Sequence, residues 1–275
     1  MTLNLDLAWK NEKSIFNNNS LLPPSIRGLI IGSSGSGKTH LLFNMLLQPD
    51  FLDYNKLYIF SNSLQQPEYQ LLIKGFQNNL DKTHIIGIFR NQKDFKGWSI
   101  QEICEYVSEK LPEIDKGNIT ISAFKSTKDV PDPSELDLLE KNTKNSVLNK
   151  IKKPKRLMIF DDCINQKQNI IEDYYTRGRH NATQCFYISQ VFIKIPKGTV
   201  RDNANFFILF ELNDLDVENI HRQYVSKDMD IKDFKRFCNI VWKEKYAFVV
   251  IDRFNDDINF KYRKGFEIPF SNIIK

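Results

Sequence analysis

Short apolar runs alternate along the chain with longer stretches in which apolar residues recur at every third or fourth position. The short runs predict buried strands, and the periodic stretches predict helices. Strands that alternate with helices indicate an α/β fold with a mainly parallel central sheet and helices on both faces. The predicted strands span residues 27–31, 57–61, 84–89, 119–124, 157–162, 185–190, 206–210 and 246–252, and the predicted helices span residues 40–47, 99–111, 170–179, 215–224 and 231–238.

A glycine-rich loop joins the first predicted strand to the first predicted helix. It fits the pattern G-x-x-x-x-G-K-[ST], in which successive N–H groups form a nest for phosphate oxygens. Glycines permit positive φ angles and let the backbone approach a phosphate without an intervening Cβ atom. The N-terminus of the following helix adds the positive end of its dipole. The predicted phosphate-binding residues are Gly32, Ser33, Ser34, Gly35, Ser36, Gly37, Lys38 and Thr39.

The last two residues of this loop are predicted to act directly on a nucleoside triphosphate. Lys38 would bridge the β- and γ-phosphates, and the Thr39 hydroxyl would ligate Mg²⁺. The alternative is a serine- and glycine-rich linker that fits the pattern by chance. The strand before the loop and the helix after it favour the phosphate-binding interpretation.

Two adjacent carboxylates end the apolar run at residues 157–162. Asp161 is predicted to hold the Mg²⁺ shell, commonly through water. Asp162, one residue further, is placed to orient or deprotonate the attacking water. Glu172 is a less favoured substitute for that base, and a simple Asp-Asp turn is the alternative interpretation.

The order of the motifs narrows the class of nucleotide hydrolase. Lys38 and Asp161 lie 123 positions apart, and the chain has no Asn-Lys-x-Asp guanine-reading motif, so a small GTPase is disfavoured. A later strand ends in Ser189-Gln190, as in RecA-like P-loop NTPases with an added catalytic carboxylate, the ASCE type. In that class this strand lies between the other two motif strands. Gln190 would then sense the γ-phosphate or position water, or else merely cap its strand.

The amino-acid composition constrains the function less tightly than these motifs do. The net charge of +5, from 39 basic and 34 acidic residues, permits a nucleic-acid partner without requiring one. The four cysteines have no metal-ligand spacing, and no apolar run approaches the length of a bilayer span. The N-terminus shows no signal-type core, so we expect a soluble intracellular protein.

Three segments are predicted along the chain. Residues 1–24 form an N-terminal arm that docks through Leu7, Trp9 or Phe16. Residues 25–255 form the ATPase domain, with a loop or insertion at about 126–155 that ends in a basic run. Such a run could contact phosphate groups, but it is more often a solvated face. Residues 256–275 form a tail, in which residues 260–264 could pair as an edge strand.

The run from Thr176 to Gln190, with Gly178-Arg179-His180 near its start, resembles the segment that joins the Walker B and third motifs in viral genome-packaging ATPases. Ile195-Pro196 and the later residues 200–205 are similar to that family as well. The family is the poxvirus-type branch of the FtsK/HerA superfamily, found in large DNA viruses, virophages and polinton-like elements. The resemblance extends from about residue 27 to residue 252.

The resemblance implies an ATP-driven double-stranded DNA translocase that packages a genome into a capsid. It implies a homo-oligomeric ring, a hexamer or pentamer, with ATP between subunits and capsid proteins as partners. It implies the host cytoplasm, the viral factory or the virion as the location. FtsK and HerA proteins carry Glu where this chain has Asp162, which puts the base in doubt.

A ring ATPase also needs a cation supplied across the subunit interface. Arg201 is the first candidate for this arginine finger, Arg179 the second and Arg177 the third, and a surface ion pair is the alternative for each. Lys194 and Lys197 could line a pore and contact DNA phosphates. Two other functions stay open: a DNA helicase or replication or transposition ATPase, and a non-catalytic nucleotide-dependent assembly switch.

Overall fold

The computed structural model describes residues 15–136 and 154–273. Nine strands in those residues form one sheet. Each central strand is an apolar run buried along its length, whereas the partly exposed edge strand at residues 120–124 is more polar. The strands are β1 (Arg27–Ile31), β2 (Lys56–Ser61), β3 (Thr120–Phe124), β4 (Arg156–Asp161), β5 (Thr183–Ser189), β6 (Phe206–Leu209), β7 (Val249–Asp252), β8 (Tyr262–Lys264) and β9 (Ile268–Pro269).

The spatial order of the sheet is β3-β2-β4-β5-β1-β6-β7-β8-β9. The first six strands of that order pair in parallel, and the last three add an antiparallel margin. The predicted mainly parallel sheet is therefore confirmed. The order also places β5 between β4 and β1, as the RecA-like arrangement of motifs requires.

Helices cover both faces of this sheet. Successive residues of β1 point to opposite sides: Ile30 joins one apolar core, whereas Leu29 and Ile31 join the other. Because both faces are covered, the residues of β1 after Arg27 and Gly28 are all apolar. The helices of the described residues are α1 (Lys38–Leu47), α2 (Pro67–Gln77), α3 (Lys82–Arg90), α4 (Ile100–Lys110), α5 (Asn169–Arg177), α6 (Asp214–Ile220), α7 (Ile231–Trp242) and α8 (Ile258–Lys261).

The predicted strand at residues 84–89 is wrong, because this segment lies within the helix α3. The Asp81 carboxylate accepts a hydrogen bond from the His84 backbone N–H at 2.8 Å and caps the helix. Ile85 and Ile88 are the buried residues of this helix, and their spacing of three is helical. The apolar run at residues 84–89 is too short for its composition to distinguish a strand from a helix.

The C-terminal strands differ in detail from the prediction. The strand predicted at 246–252 begins only at Val249, since Tyr246 has a φ of +67°, a left-handed conformation that no strand accommodates. Pairing of the tail is confirmed by β8, which is antiparallel to β7. β9 continues the sheet beyond it, so β8 is not the edge.

The predicted arm and insertion are only partly described. Phe16 is buried, and the Asn18 side-chain amide donates to Gln184 Oε1 at 2.7 Å, so this part of the arm is docked on the sheet. Leu7 and Trp9 lie outside the described residues. Within the predicted insertion, Val130 and Leu136 are buried, whereas most of its basic run also lies outside them.

No helix in the described parts of the chain has both the length and the apolar character needed to cross a bilayer.

Candidate active site

Three predicted motifs meet at the carboxyl edge of the parallel strands. Asp161 is in register with Ile188 on β5, and Ile31 is in register with Ser189. The residues that follow these strands therefore emerge side by side. In open α/β sheets, ligands bind at this edge of the strands.

The glycine-rich loop turns sharply between β1 and α1. Gly35 and Gly37 have φ angles of +75° and +100°, which side chains rarely adopt. A Cβ atom on Gly32 would lie 2.6 Å from Cβ of Phe210, so only glycine fits there. Gly37 caps α1 without a side chain, which leaves the helix N-terminus open to an anion. The buried Ser36 hydroxyl has no hydrogen-bond partner among the described residues, as expected in a loop shaped for a ligand.

Lys38 is folded back onto its own loop. Its Nζ atom donates to the carbonyl oxygens of Gly32 at 2.7 Å and Ser33 at 2.6 Å, and its side chain is 9% exposed. Burial lowers the pKa of Lys38, and the negative charge of Asp161 opposes that shift. Thr39 directly follows Lys38 in the first turn of α1.

Asp161 is 8% exposed and is held by a residue that the sequence analysis missed. The buried Tyr69 hydroxyl, on α2, donates to Asp161 Oδ2 at 2.5 Å. Burial raises the pKa of Asp161, and the charge of Asp162 adds to this, whereas the Tyr69 hydrogen bond and Lys38 lower it. The Tyr69 hydroxyl pKa is raised as well, by burial first and by Asp161 second.

Asp162 is exposed and has a φ of +52°, in the left-handed region. Its carbonyl oxygen accepts a hydrogen bond from the Asn62 side-chain amide at 2.7 Å, and its Oδ2 atom lies 3.4 Å from the Ser63 hydroxyl. Asn62 and Ser63 follow β2, the neighbour of β4 in the sheet. Their polar character at the end of an apolar run was the signal that could have revealed them.

Gln190 is exposed and comes directly after β5, the strand between the loop strand and the Asp-Asp strand. The Gly32 N–H donates to the Ser189 carbonyl at 3.3 Å, which ties the end of β5 to the loop. The predicted placement of this strand is confirmed. The role of the Gln190 amide stays a prediction.

The candidate arginines lie in different surroundings. Arg201 is 7% exposed, and its guanidinium carbon lies 4.6 Å from the centroid of the Phe192 ring. Its position inside the protomer disfavours Arg201 as an arginine finger. Arg177 is paired with Asp132 and Asp173 at 3.0 and 2.9 Å.

Four other predicted residues are accessible. Arg179 is exposed in the short turn between α5 and β5, and Lys194 and Lys197 are exposed on the connector that follows β5. Glu172 lies in the first turn of α5, and no hydrogen bond or ion pair of its side chain with the glycine-rich loop is found in the described part of the chain. Arg179 is therefore the strongest remaining candidate for a cation supplied to a neighbouring subunit.

Solved structures with the same kind of fold include the genome packaging NTPase B204 from Sulfolobus turreted icosahedral virus 2, in complex with AMP. It is 12% identical, with a TM-score of 0.47, and the alignment covers 88% of this chain and 98% of that chain. VirB4 of Thermoanaerobacter pseudethanolicus is 10% identical, with a TM-score of 0.42, and the alignment covers 83% of this chain and 87% of that chain. No curated protein sequence matches.

One family model also matches the sequence. It is the model of Poxvirus A32 protein, and it covers residues 133–258, from the predicted insertion through the Asp-Asp strand to α8. Across residues 133–258 the chain therefore carries the sequence pattern of the Poxvirus A32 protein family, which confirms its resemblance to the poxvirus-type packaging ATPases.

Proposed function

We propose that this protein is an ATPase that couples ATP hydrolysis to the movement of double-stranded DNA during the packaging of a viral genome into a capsid. The observation that carries the proposal is the meeting of three motifs at one sheet edge: the loop with Lys38, the Asp161–Asp162 pair and Gln190. A strand order that separated them would have excluded phosphate hydrolysis by this set.

The loop binds the phosphates through backbone N–H groups and the N-terminus of α1. Lys38 leaves the Gly32 and Ser33 carbonyls and moves onto the β- and γ-phosphates, where it balances negative charge in the transition state. The ammonium group exchanges one set of oxygen acceptors for another, a buried carbonyl of Gly32 and a partly buried carbonyl of Ser33 for phosphate oxygens.

A Mg²⁺ ion fits the donors that remain. Thr39 and Asp161 would supply oxygen ligands, which Mg²⁺ prefers, and the Tyr69 hydrogen bond to Oδ2 would orient the Asp161 carboxylate. When bound, the ion neutralises charge on the β- and γ-phosphates. Asp162, held by Asn62, orients the attacking water and accepts its proton. Gln190 contacts the γ-phosphate.

The ring and DNA contacts are assigned to exposed cations. In a homo-oligomer, Arg179 reaches the γ-phosphate of a neighbouring subunit, and Lys194 and Lys197 contact DNA phosphates. Capsid proteins are the further partners. This assignment replaces Arg201 with Arg179 because Arg201 is buried, whereas Arg179 is exposed.

Removal of the Tyr69 hydroxyl is expected to weaken Mg²⁺ binding without unfolding the chain. Tyr69→Phe keeps the buried ring and loses only the bond to Asp161 Oδ2. Loss of such an outer-shell hydrogen bond typically lowers metal affinity by about 10–100-fold. The measurement is ATP hydrolysis over a Mg²⁺ titration, together with Mg²⁺-dependent nucleotide binding.

Tyr54→Phe is the matched control, since Tyr54 is an equally buried tyrosine that donates to the Leu46 carbonyl, away from the carboxylates. An unchanged Mg²⁺ dependence in Tyr69→Phe would contradict the assigned metal position.

The proposed function is tested by the ATPase rate as a function of DNA length and protein concentration. Hydrolysis that rises with duplex length, and rises cooperatively with protein concentration, is expected of a ring translocase. Strand separation would instead favour the helicase alternative. ATP binding without turnover under ring-forming conditions would favour an assembly switch. A rate indifferent to DNA and to concentration would contradict the proposal.

A further inference from the structure

A cavity of about 220 Å³ lies against the outer side of the glycine-rich loop. Its walls are the loop residues Ser33 to Ser36, the residues Phe210 and Glu211 that follow β6, and Trp242 with the turn residues Glu244 to Ala247 before β7. β6 and β7 lie on one side of β1, whereas β5 and β4 lie on the other. The cavity is therefore on the side of the loop that faces away from Asp161.

The position of the cavity indicates how a bound nucleotide would be oriented across the loop. A γ-phosphate placed beside Asp161 and Gln190 lies on the β4–β5 side of the loop. The other phosphates then cross the loop above β1, and the rest of the nucleotide emerges on the β6–β7 side. The cavity lies where the sugar and base of that nucleotide would come out.

The side chains in the cavity suit a flat, partly polar ring. Tyr246 is 57% exposed, although it is a large aromatic residue. Its Cδ1 atom lies 3.4 Å from the position that a Cβ atom on Gly37 would occupy, so an edge of the ring packs against the loop, and the Lys245 ammonium lies 4.8 Å from the ring centroid. The Trp242 indole N–H donates to the Leu209 carbonyl at 3.0 Å, which fixes the second aromatic wall. Aromatic faces of this kind stack on nucleobases.

The backbone supports the same interpretation. Tyr246 adopts a φ of +67°, which is unfavourable for an aromatic residue and would be relieved by glycine or asparagine. Strained residues that survive in a fold are concentrated at ligand sites. Here the strained residue is the same one whose ring edge packs against Gly37.

We propose that this cavity binds the base of the nucleotide and that the Tyr246 ring stacks on it. The inference rests on the proposed function, because it takes the position of the γ-phosphate from the assigned roles of Asp161 and Gln190. It adds a binding residue that lies outside the phosphate-binding and hydrolytic motifs.

The experiment compares two ligands that share phosphates and differ in the base. Binding of ATPγS and of inorganic tripolyphosphate, each with Mg²⁺, is measured by calorimetry on the full chain. Tyr246→Ala is expected to weaken ATPγS binding by about 10-fold, the effect of losing one base–aromatic stack, and to leave tripolyphosphate binding unchanged. Tyr246→Phe, which keeps the ring, is expected to bind both ligands as the unaltered protein does.

Tyr106→Ala is the matched control, since it removes a partly exposed tyrosine from α4, outside the cavity, and both affinities should be unchanged. Equal weakening of both ligands by Tyr246→Ala would overturn the inference and show that the ring only supports the loop. Unchanged ATPγS binding would also overturn it. If the unaltered protein bound tripolyphosphate as tightly as ATPγS, the base site would be refuted but the proposed function would not. An unaltered protein that bound neither would refute the proposed function as well.

Discussion

Asp161→Asn is expected to lower ATP hydrolysis by at least about 10²-fold and, at neutral pH, to make the nucleotide-free protein more stable. The loss of activity follows because the amide is a poor metal ligand, and metal stabilisation of the transition state amounts to several kcal/mol. The gain in stability follows from burial, which raises the pKa of Asp161 and so penalises its ionised form.

The sign of the pH dependence follows from the direction of that shift. A carboxyl group with a raised pKa in the folded state stabilises the fold while it is protonated, and this contribution is lost as the pH rises through the folded-state pKa. Asparagine imitates the protonated group at every pH and still accepts the Tyr69 hydrogen bond. The stability difference between the variant and the unaltered protein should therefore be present at neutral pH and shrink at pH values below the ordinary aspartate range.

Chemical unfolding at several pH values, alongside the ATPase rate, measures both effects. Asp129→Asn, at an exposed aspartate, is the control and should change neither. A variant that is less stable than the unaltered protein at neutral pH would show that the attraction between Asp161 and Lys38 outweighs burial.

Lys38→Ala is expected to lower ATP hydrolysis by about 10²–10³-fold, the effect of removing one preorganised charge from a transition state. The same change frees the Gly32 and Ser33 carbonyls, which then bond to water. Because burial already disfavours the charged ammonium, the variant should fold and keep near-normal stability. Single-turnover hydrolysis and thermal unfolding measure the two results.

Lys110→Ala is the control, since it removes an exposed lysine from α4, away from the loop. Retention of most ATPase activity in Lys38→Ala would mean that another cation neutralises the γ-phosphate. In that case the assigned role of the loop would have to be abandoned.

The parts of the fold that the sequence predicted are those with local signals. The strand, glycine loop and helix from β1 to α1 form one continuous pattern, and the carboxylates after β4 mark their own strand end. The position of β5 between β4 and β1 was predicted from the order of the motifs, whereas the order of the other strands was not. The prediction of a strand at residues 84–89 failed because the cap at Asp81 and the helical spacing of two isoleucines outweigh a short apolar run.

Local signals could mark some supporting residues, such as Asn62 after β2, but they could not predict which residues these side chains contact. Tyr69 reaches Asp161 across 92 positions of sequence, and Asn62 reaches Asp162 across 100. Both contacts exist only because β2 pairs with β4, which no local pattern reveals. The burial of Arg201 against Phe192 likewise depends on packing, so its charge alone suggested an accessible residue.

The turn after β4 also bears on why this protein has aspartate at the position where FtsK and HerA proteins carry glutamate. Asp162 is in the left-handed conformation. Residues with short side chains that hydrogen-bond to nearby backbone groups adopt this conformation most readily, and aspartate is the acidic residue of that kind. The hydrogen bond from the Asn62 side-chain amide to the Asp162 carbonyl oxygen stabilises this left-handed conformation. The shorter reach of this carboxylate toward water thus follows from the left-handed turn, and aspartate at this position does not by itself favour the non-catalytic assembly switch.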